Sequence, residues 1–203
     1  MGKKEKKGKK KVKKERVFRK IALKKKKRKW FPVFSDKEFA GIQIGELLAP
    51  SFNDLIGRVI KINLAGVVGQ SRRQSVRVKF RVKEVKEEKP ICEVIGYELV
   101  EGFIKRAVRK GKSKINITMY LKSKDNVDIV IKVLIITRNK IQGNVSKDIG
   151  IKTREFFIEK TKKFNCEDII KGLLNEELNK EFKKVINKVY PVSVAKIRFF
   201  SRK

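Results

Sequence analysis

Apolar and basic residues alternate strictly along Val76–Lys83, which reads VRVKFRVK. Side chains of a strand point to opposite faces in turn, so this stretch is predicted to be a strand with one apolar and one cationic face. We expect the apolar face in the core of a sheet that also contains a strand at 57–65 and a hairpin at 114–136. A cationic strand face is also typical of a solvated surface without a binding role.

The same alternation predicts further strands, which lie at 57–65, 91–100 (interrupted at Gly96), 114–122, 127–138 and 192–200. Ser123-Lys124-Asp125-Asn126 favours a hairpin turn between two of them. Ile129–Ile136 is almost continuously apolar, which predicts burial on both faces. In the last strand the alternation places Ala195, Ile197 and Phe199 on the buried face.

A helical period replaces this alternation after residue 142. It predicts helices from about Thr153, from Asn165 and from Asn175, with Pro191 ending the third. The third helix is expected to bury a stripe formed by Leu178, Phe182, Val185, Ile186 and Val189. A short basic helix is predicted at 103–109. This order of elements predicts an α+β fold, in which a barrel-like antiparallel sheet carries C-terminal helices.

The first 29 residues follow neither period. They hold 18 basic and two acidic residues, and Val12 is the one apolar side chain between residues 2 and 14. Such a segment cannot bury enough surface to fold alone. We interpret 1–29 as an extended arm that contacts RNA phosphates, followed by a single α+β domain over 30–203. A solubilising tail or a nuclear-import signal is the alternative interpretation of the arm.

An aromatic cluster, Trp30-Phe31-Pro32-Val33-Phe34, marks the point where the chain enters the globular part. We expect this cluster to pack in the core. Stacking of Trp30 on a nucleic-acid base is the alternative, because an indole ring beside a basic segment suits that role.

The net charge indicates the class of partner. The chain has 55 Lys and Arg against 22 Asp and Glu, a formal charge of +33. An excess of this size is typical of a protein that binds a polyanion. Lysine outnumbers arginine, which favours neutralisation of phosphates over reading of base edges.

The sequence contains few residues or motifs that would support metal binding or catalysis. The chain contains no histidine and two cysteines, Cys92 and Cys166, so it cannot assemble a zinc finger by itself. We expect both to be buried, reduced thiols, as in the cytosol. It has no GxxxxGK[ST] or GxGxxG loop and no run of about 18 apolar residues. We therefore expect a protein that is neither an enzyme nor secreted nor membrane-spanning, with no metal and no cofactor.

The candidate RNA-binding residues come from the arm, a polar turn, the cationic strand and the short basic helix. They are Lys3, Lys4, Lys6, Lys7, Lys9, Lys10, Lys11, Lys13, Lys14, Arg16, Arg19, Lys24, Lys25, Lys26, Lys27, Arg28, Trp30, Arg72, Arg73, Arg77, Lys79, Arg81, Lys105, Arg106, Arg109 and Lys110.

Several short motifs occur in the order found in a family of small-subunit ribosomal proteins of eukaryotes and archaea, called S-three-a or e-S-one. GRVIKINLA at 57–65 resembles its GRV-x-E-V-S-L-A-D-L stretch, and Lys-Trp-Phe at 29–31 resembles its KxW[YF] motif. Ile44–Leu47 occupies the place of its IGKT motif and Val76–Val85 the place of its FRKFKLxxxDV strand.

The later part of the chain continues this resemblance. Ile136-Thr137-Arg138 is similar to the family's FTxxR segment, and Tyr190–Arg198 is similar to its IYP-x-x-x-V-x-x-R-K-V-K ending. Two features depart from the family: 124–127 lacks the Gly and Tyr of its T-x-DGY hairpin, and 141–152 replaces a Gln- and Arg-rich stretch. The family's C-terminal extension does not follow Lys203, which suggests a shortened member.

The resemblance implies a structural constituent of the small ribosomal subunit, located on its platform near the messenger exit and the 3′ end of its RNA. The implied partners are ribosomal RNA, neighbouring platform proteins and messenger RNA near the exit, with no membrane. The implied location is the cytoplasmic ribosome, after assembly in the nucleolus. The alternative is a free basic nucleic-acid-binding factor of chromatin or translation initiation.

Overall fold

The computed structural model describes residues 27–36, 41–68, 74–86 and 89–202. The strands are β1 Lys29–Ser35, β2 Gln43–Ala49, β3 Val59–Asn63, β4 Val76–Lys86, β5 Lys89–Leu99, β6 Lys114–Lys122, β7 Asp128–Thr137 and β8 Val192–Arg202. The α-helices are α1 Leu64–Val68, α2 Glu101–Ala107, α3 Gly143–Lys163, α4 Cys166–Leu174 and α5 Glu177–Asn187. A 3-10 turn covers Asn53–Leu55.

The strands form one sheet in the order β2-β1-β5-β8-β7-β6, and β4 and β3 extend it from the other edge of β5. The branch lies in β5, which pairs with β1 at Ile91 and Cys92 and with β8 from Gly96 to Glu98. The β1–β5 pair is parallel, and the remaining pairs are antiparallel. The α+β class is therefore confirmed, whereas the sheet is open and does not form the expected barrel.

Strand β4 has the two faces that its sequence predicts. Val76, Val78, Phe80 and Val82 are at most 1% exposed, Arg77, Arg81 and Lys83 are exposed, and Lys79 is half-buried. Burying each of these apolar side chains is worth about 1.5–3 kcal/mol. β4 pairs with β3 as expected, but its other neighbour is β5. The predicted contact with the 114–136 hairpin is wrong because β5 and β8 lie between them.

A bulge in β8 changes which aromatic side chain enters the core. Between the pairs Lys132–Phe199 and Val133–Ile197 the register shifts, and Arg198 is the additional residue. Phe200 is consequently fully buried, and the prediction that Phe199 would occupy that face is wrong. Next to the bulge, the Ile197 amide donates a hydrogen bond of 3.0 Å to Asn179 Oδ1 in α5.

Replacing Asn179 with alanine is expected to lower the free energy of unfolding by about 1–3 kcal/mol, because the buried Ile197 amide would lose its acceptor. Asn179 is 4% exposed, so water cannot easily substitute for its carbonyl. Urea unfolding measures the change, and Asn116→Ala, at an exposed position of β6, is the control. Equal stability of the two variants would show that Asn179 does not hold the bulge.

α3, α4 and α5 pack against the sheet, and the buried side chains of the helices and strands form one apolar cluster. α3 begins at Gly143, ten residues before the predicted start, and its first two turns pack on the core through the partly buried Val145 and the fully buried Ile149. In α5 the stripe is confirmed for Leu178, Phe182 and Ile186. Val189 is 37% exposed because the helix ends at Asn187, so its predicted burial is wrong.

None of the helices in the described part of the chain has both the length and the apolar character needed to cross a membrane.

Candidate nucleic-acid interface

The outer sheet face is the side of the sheet that carries Arg77, Lys79, Arg81 and Lys83. Strand register extends this face in both directions from β4. Lys79 lies opposite Lys61 of β3, and farther along the sheet Phe199 of β8 lies opposite Lys132 of β7. The outer sheet face therefore combines cations from three strands that are far apart in sequence.

An aromatic ring lies close to two of these cations. The Lys79 Nζ lies 4.4 Å and the Lys132 Nζ 5.2 Å from the centre of the Phe199 ring. Lys79 must cross β5 to reach β8, and it does so beside Gly96. A Cβ at Gly96 would lie 3.6 Å from Lys79 Cδ and 2.8 Å from the Phe200 carbonyl oxygen. Glycine thus permits both the strand pairing and the path of the lysine.

The arginines of β4 remain available to an external partner. Arg77 lies opposite Glu98 and Arg81 opposite Glu93. These carboxylates, however, pair with other cations: Glu98 with Lys79 at 3.3 Å and Glu93 with Arg202 at 2.7 Å. The ion pairs of the described residues include neither arginine. Like charges this close repel one another, and a polyanion would remove that repulsion.

A second basic region, the loop-end cluster, comprises Lys105, Arg106, Arg109, Lys110, Lys112, Lys114, Arg138 and Lys140. Hydrogen bonds join the loops that carry these residues. The Ser113 amide donates to the Thr137 hydroxyl at 3.0 Å, and the Ile141 amide donates to the Ser113 hydroxyl at 3.1 Å. The loop after β7 is thereby held beside the loop before β6, and Arg138 and Lys140 come next to the basic run at 109–114.

The structure places some of the predicted RNA-binding residues in these two basic regions and others elsewhere. Arg77, Lys79 and Arg81 lie on the outer sheet face, and the four predicted residues from 105 to 110 lie in the loop-end cluster. Trp30 lies on β1 and is 66% exposed, so its expected core packing is wrong. Val33 is buried, which confirms that part of the aromatic cluster. The predicted residues from Lys3 to Lys26, and the pair Arg72 and Arg73, lie outside the described residues.

Sequence reasoning missed Lys132 and Tyr120. Lys132 is exposed in the middle of β7, so burial on both faces holds only for 133–137. A single lysine within an apolar run was the available signal. Tyr120 is 77% exposed on β6, two residues from the partner of Lys132. Alternation along β6 could have placed it outside, but only the strand order brings it to the outer sheet face.

The described residues offer little for catalysis. Cys92 and Cys166 are buried and form no disulfide, as the sequence predicted. Burial raises the pKa of the Cys92 thiol from 9.0 to about 12, so it is protonated and unreactive at neutral pH. A cavity of about 490 Å³ lies where β5 faces α4, but its Glu93 and Arg202 pair with each other. The described residues form no group of three or more metal-ligating side chains.

Comparison with known proteins identifies the family. The sequence profile of the Ribosomal S3Ae family matches residues 16–201. The small ribosomal subunit protein eS1 of Nanoarchaeum equitans is 29% identical over 178 residues, or 86% of this chain and 88% of that protein. The protein of the same name from Methanocaldococcus jannaschii is 25% identical over 177 residues, or 87% of this chain and 80% of its own length. Because the profile spans most of the chain, and its motifs occur in the order that the resemblance requires, this protein belongs to the Ribosomal S3Ae family.

Proposed function

We propose that this protein is a structural component of the small ribosomal subunit and binds ribosomal RNA through its outer sheet face. The observation that carries the proposal is the pair of exposed arginines on β4, Arg77 and Arg81, whose cross-strand carboxylates are already paired with Lys79 and Arg202. Family membership supports the ribosomal role, because the relatives described above are named as small-subunit proteins.

The proposed chemistry is neutralisation of RNA phosphates. Lysine and arginine side chains on a rigid sheet release condensed counterions when they meet the RNA backbone, and this release favours binding. The loop-end cluster and the 1–29 arm would extend the same contact. Since the role is structural, the protein would act by holding RNA in place and would carry out no reaction.

The location follows from the family resemblance. We place the protein on the platform of the small subunit, near the messenger exit and the 3′ end of the ribosomal RNA. Its partners there would be neighbouring platform proteins and messenger RNA. It would act on cytoplasmic ribosomes and join the subunit during assembly, in the nucleolus where the cell has one.

Sedimentation of a native cell extract through sucrose gradients tests this proposal. We expect the protein to travel with the small subunit at moderate and at raised salt, because many contacts and protein neighbours hold it. A free basic factor with six to ten phosphate contacts would lose about 10³–10⁵ in affinity between 50 and 200 mM salt. Its release to the top of the gradient over that range would favour the free nucleic-acid-binding factor and contradict the structural role.

A further inference from the structure

Tyr120 is the most exposed of the large hydrophobic side chains in the described residues, with 77% of its surface accessible. It lies on β6, which ends the sheet and pairs with β7 alone among the described strands. An isolated exposed tyrosine on an edge strand can reflect strand propensity alone. The surroundings of Tyr120 distinguish it from that case.

Two lysines lie near the Tyr120 ring on the outer sheet face, and Asp128 lies opposite one of them, Lys122. Lys122 is two residues along β6, so its side chain points to the same side as Tyr120. Lys132 of β7 lies opposite Thr118, which is two residues before Tyr120, and its ammonium group lies 5.2 Å from the centre of the Phe199 ring. Ideal sheet spacings put the Cα atoms of Tyr120 and Phe199 roughly 12 Å apart. An aromatic face thus stands beside ammonium groups held at nearby positions.

A depression of about 290 Å³ adjoins the ring. Tyr120 and Lys122 line it from β6, and Asp128 and Val130 line it from β7. Val130 lies directly opposite Tyr120 and is half-buried, so the space beside the ring has an apolar side and a charged side. A planar aromatic group that carries a phosphate fits this combination.

We propose that Tyr120 stacks on an unpaired base of RNA while Lys122 and Lys132 contact the adjoining phosphates. This inference rests on the proposed function, which supplies RNA as the ligand, and it adds base stacking to the phosphate contacts proposed there. Phosphate neutralisation does not distinguish paired from unpaired RNA, whereas stacking requires a free base face. A duplex keeps its base faces within the helix, so the site selects single-stranded RNA.

Binding measurements with the full chain test the proposal. The probes are an oligouridylate and an RNA duplex of the same length, at one fixed salt concentration. Tyr120→Ala is expected to weaken oligouridylate binding about 5- to 150-fold, the range for loss of one stacked base. Duplex binding should not change, and Tyr120→Phe should restore oligouridylate binding because it keeps the ring. The dependence of binding on salt should be the same for all three proteins, since no charge is altered.

Phe164→Ala is the matched control, because this ring is also exposed, at 42%, but lies at the end of α3 on the helical side. It should leave oligouridylate binding unchanged. If Tyr120→Ala fails to fold, Tyr120→Thr replaces it, since threonine suits a strand but cannot stack. The inference is overturned if either non-aromatic variant binds oligouridylate as tightly as the wild type.

Photo-crosslinking of intact small subunits carrying thiouridine-substituted RNA provides a second measurement. The expected product is RNA attached to the peptide that contains Tyr120. Attachment of RNA to other peptides of the protein, with none on the Tyr120 peptide, would overturn the inference. The two proposals can fail separately. If the protein co-sediments with the small subunit but Tyr120 variants bind oligouridylate as tightly as the wild type, only stacking is refuted. If Tyr120 variants weaken binding but the protein does not co-sediment, only the ribosomal role is refuted.

Discussion

Replacing Phe182 with alanine is expected to lower the free energy of unfolding by about 3–5 kcal/mol, the cost of removing a fully buried aromatic side chain. Phe182 is completely inaccessible, and its ring centre lies 5.6 Å from that of Phe156 and 5.2 Å from that of Phe157. The substitution leaves a cavity between α3 and α5, where surrounding side chains can relax only in part. A loss of this size is a large share of the stability of a typical domain.

Urea unfolding monitored by circular dichroism measures the effect. Phe164→Ala provides the comparison, because its ring is exposed at 42% and its removal should cost well under the Phe182 value. Phe182→Leu should fall between the two, since it retains most of the apolar volume. A loss of less than about 1 kcal/mol for Phe182→Ala would mean that the α5 stripe is not part of the core.

A triple variant in which glutamine replaces Arg77, Arg81 and Lys83 is expected to bind RNA more weakly and to enter the subunit less well, while remaining folded. The three side chains are exposed, and the inner face of β4 is unchanged, so stability should change by less than about 0.5 kcal/mol per site. Lys79 is retained because it pairs with Glu98, and removing it would leave that carboxylate without its partner.

The measured quantity is the slope of log affinity against log salt concentration. Each lost phosphate contact reduces the slope by about 0.7–0.9, so the triple variant should reduce it by about 2–3. Lys162, Lys180 and Lys184, exposed on α3 and α5, provide a control triple with the same change in net charge. An equal reduction for the control would show that total charge, and not the outer sheet face, determines binding.

Local patterns were sufficient for β4 because alternation and burial agree from Val76 to Lys83, apart from the half-buried Lys79. The hairpin of β6 and β7 was also predicted within a residue, since its turn residues and its flanking apolar runs indicate the same boundaries. In these segments the preference of each residue and its tertiary surroundings favour the same structure, which is the condition under which sequence reasoning succeeds.

The remaining features depend on contacts between distant segments. The Phe199 side chain points outward because Arg198 is inserted as a bulge, and Asn179 of another element stabilises that bulge. The first turns of α3 contain Gly143 and Asn144, which disfavour a helix by themselves, so the packing of Ile149 decides the start. Strand propensity and helix propensity carry no information on either contact.

The candidate interface was predicted in part for the same reason. The basic strand and the basic helix were visible as patterns, but the position of Lys132 next to Phe199 and Tyr120 depends on the order of β8, β7 and β6. That order brings β8 beside β7, although three helices separate the two strands in sequence. Residues on one strand or on one predicted hairpin can therefore be placed together from sequence, whereas residues on strands that are distant in sequence cannot.

The position of β8 has a consequence for synthesis of the protein. It is the last described strand in chain order, yet it lies between β5 and β7 and links the two parts of the sheet. During translation, β3–β5 and the β6–β7 hairpin emerge first and cannot join until β8 arrives. Between completion of β7 and synthesis of β8, the nascent chain would carry two open sheet edges, at a stage when unpaired strands are prone to wrong partners. A dense positive charge on those early segments would keep such chains apart through mutual repulsion.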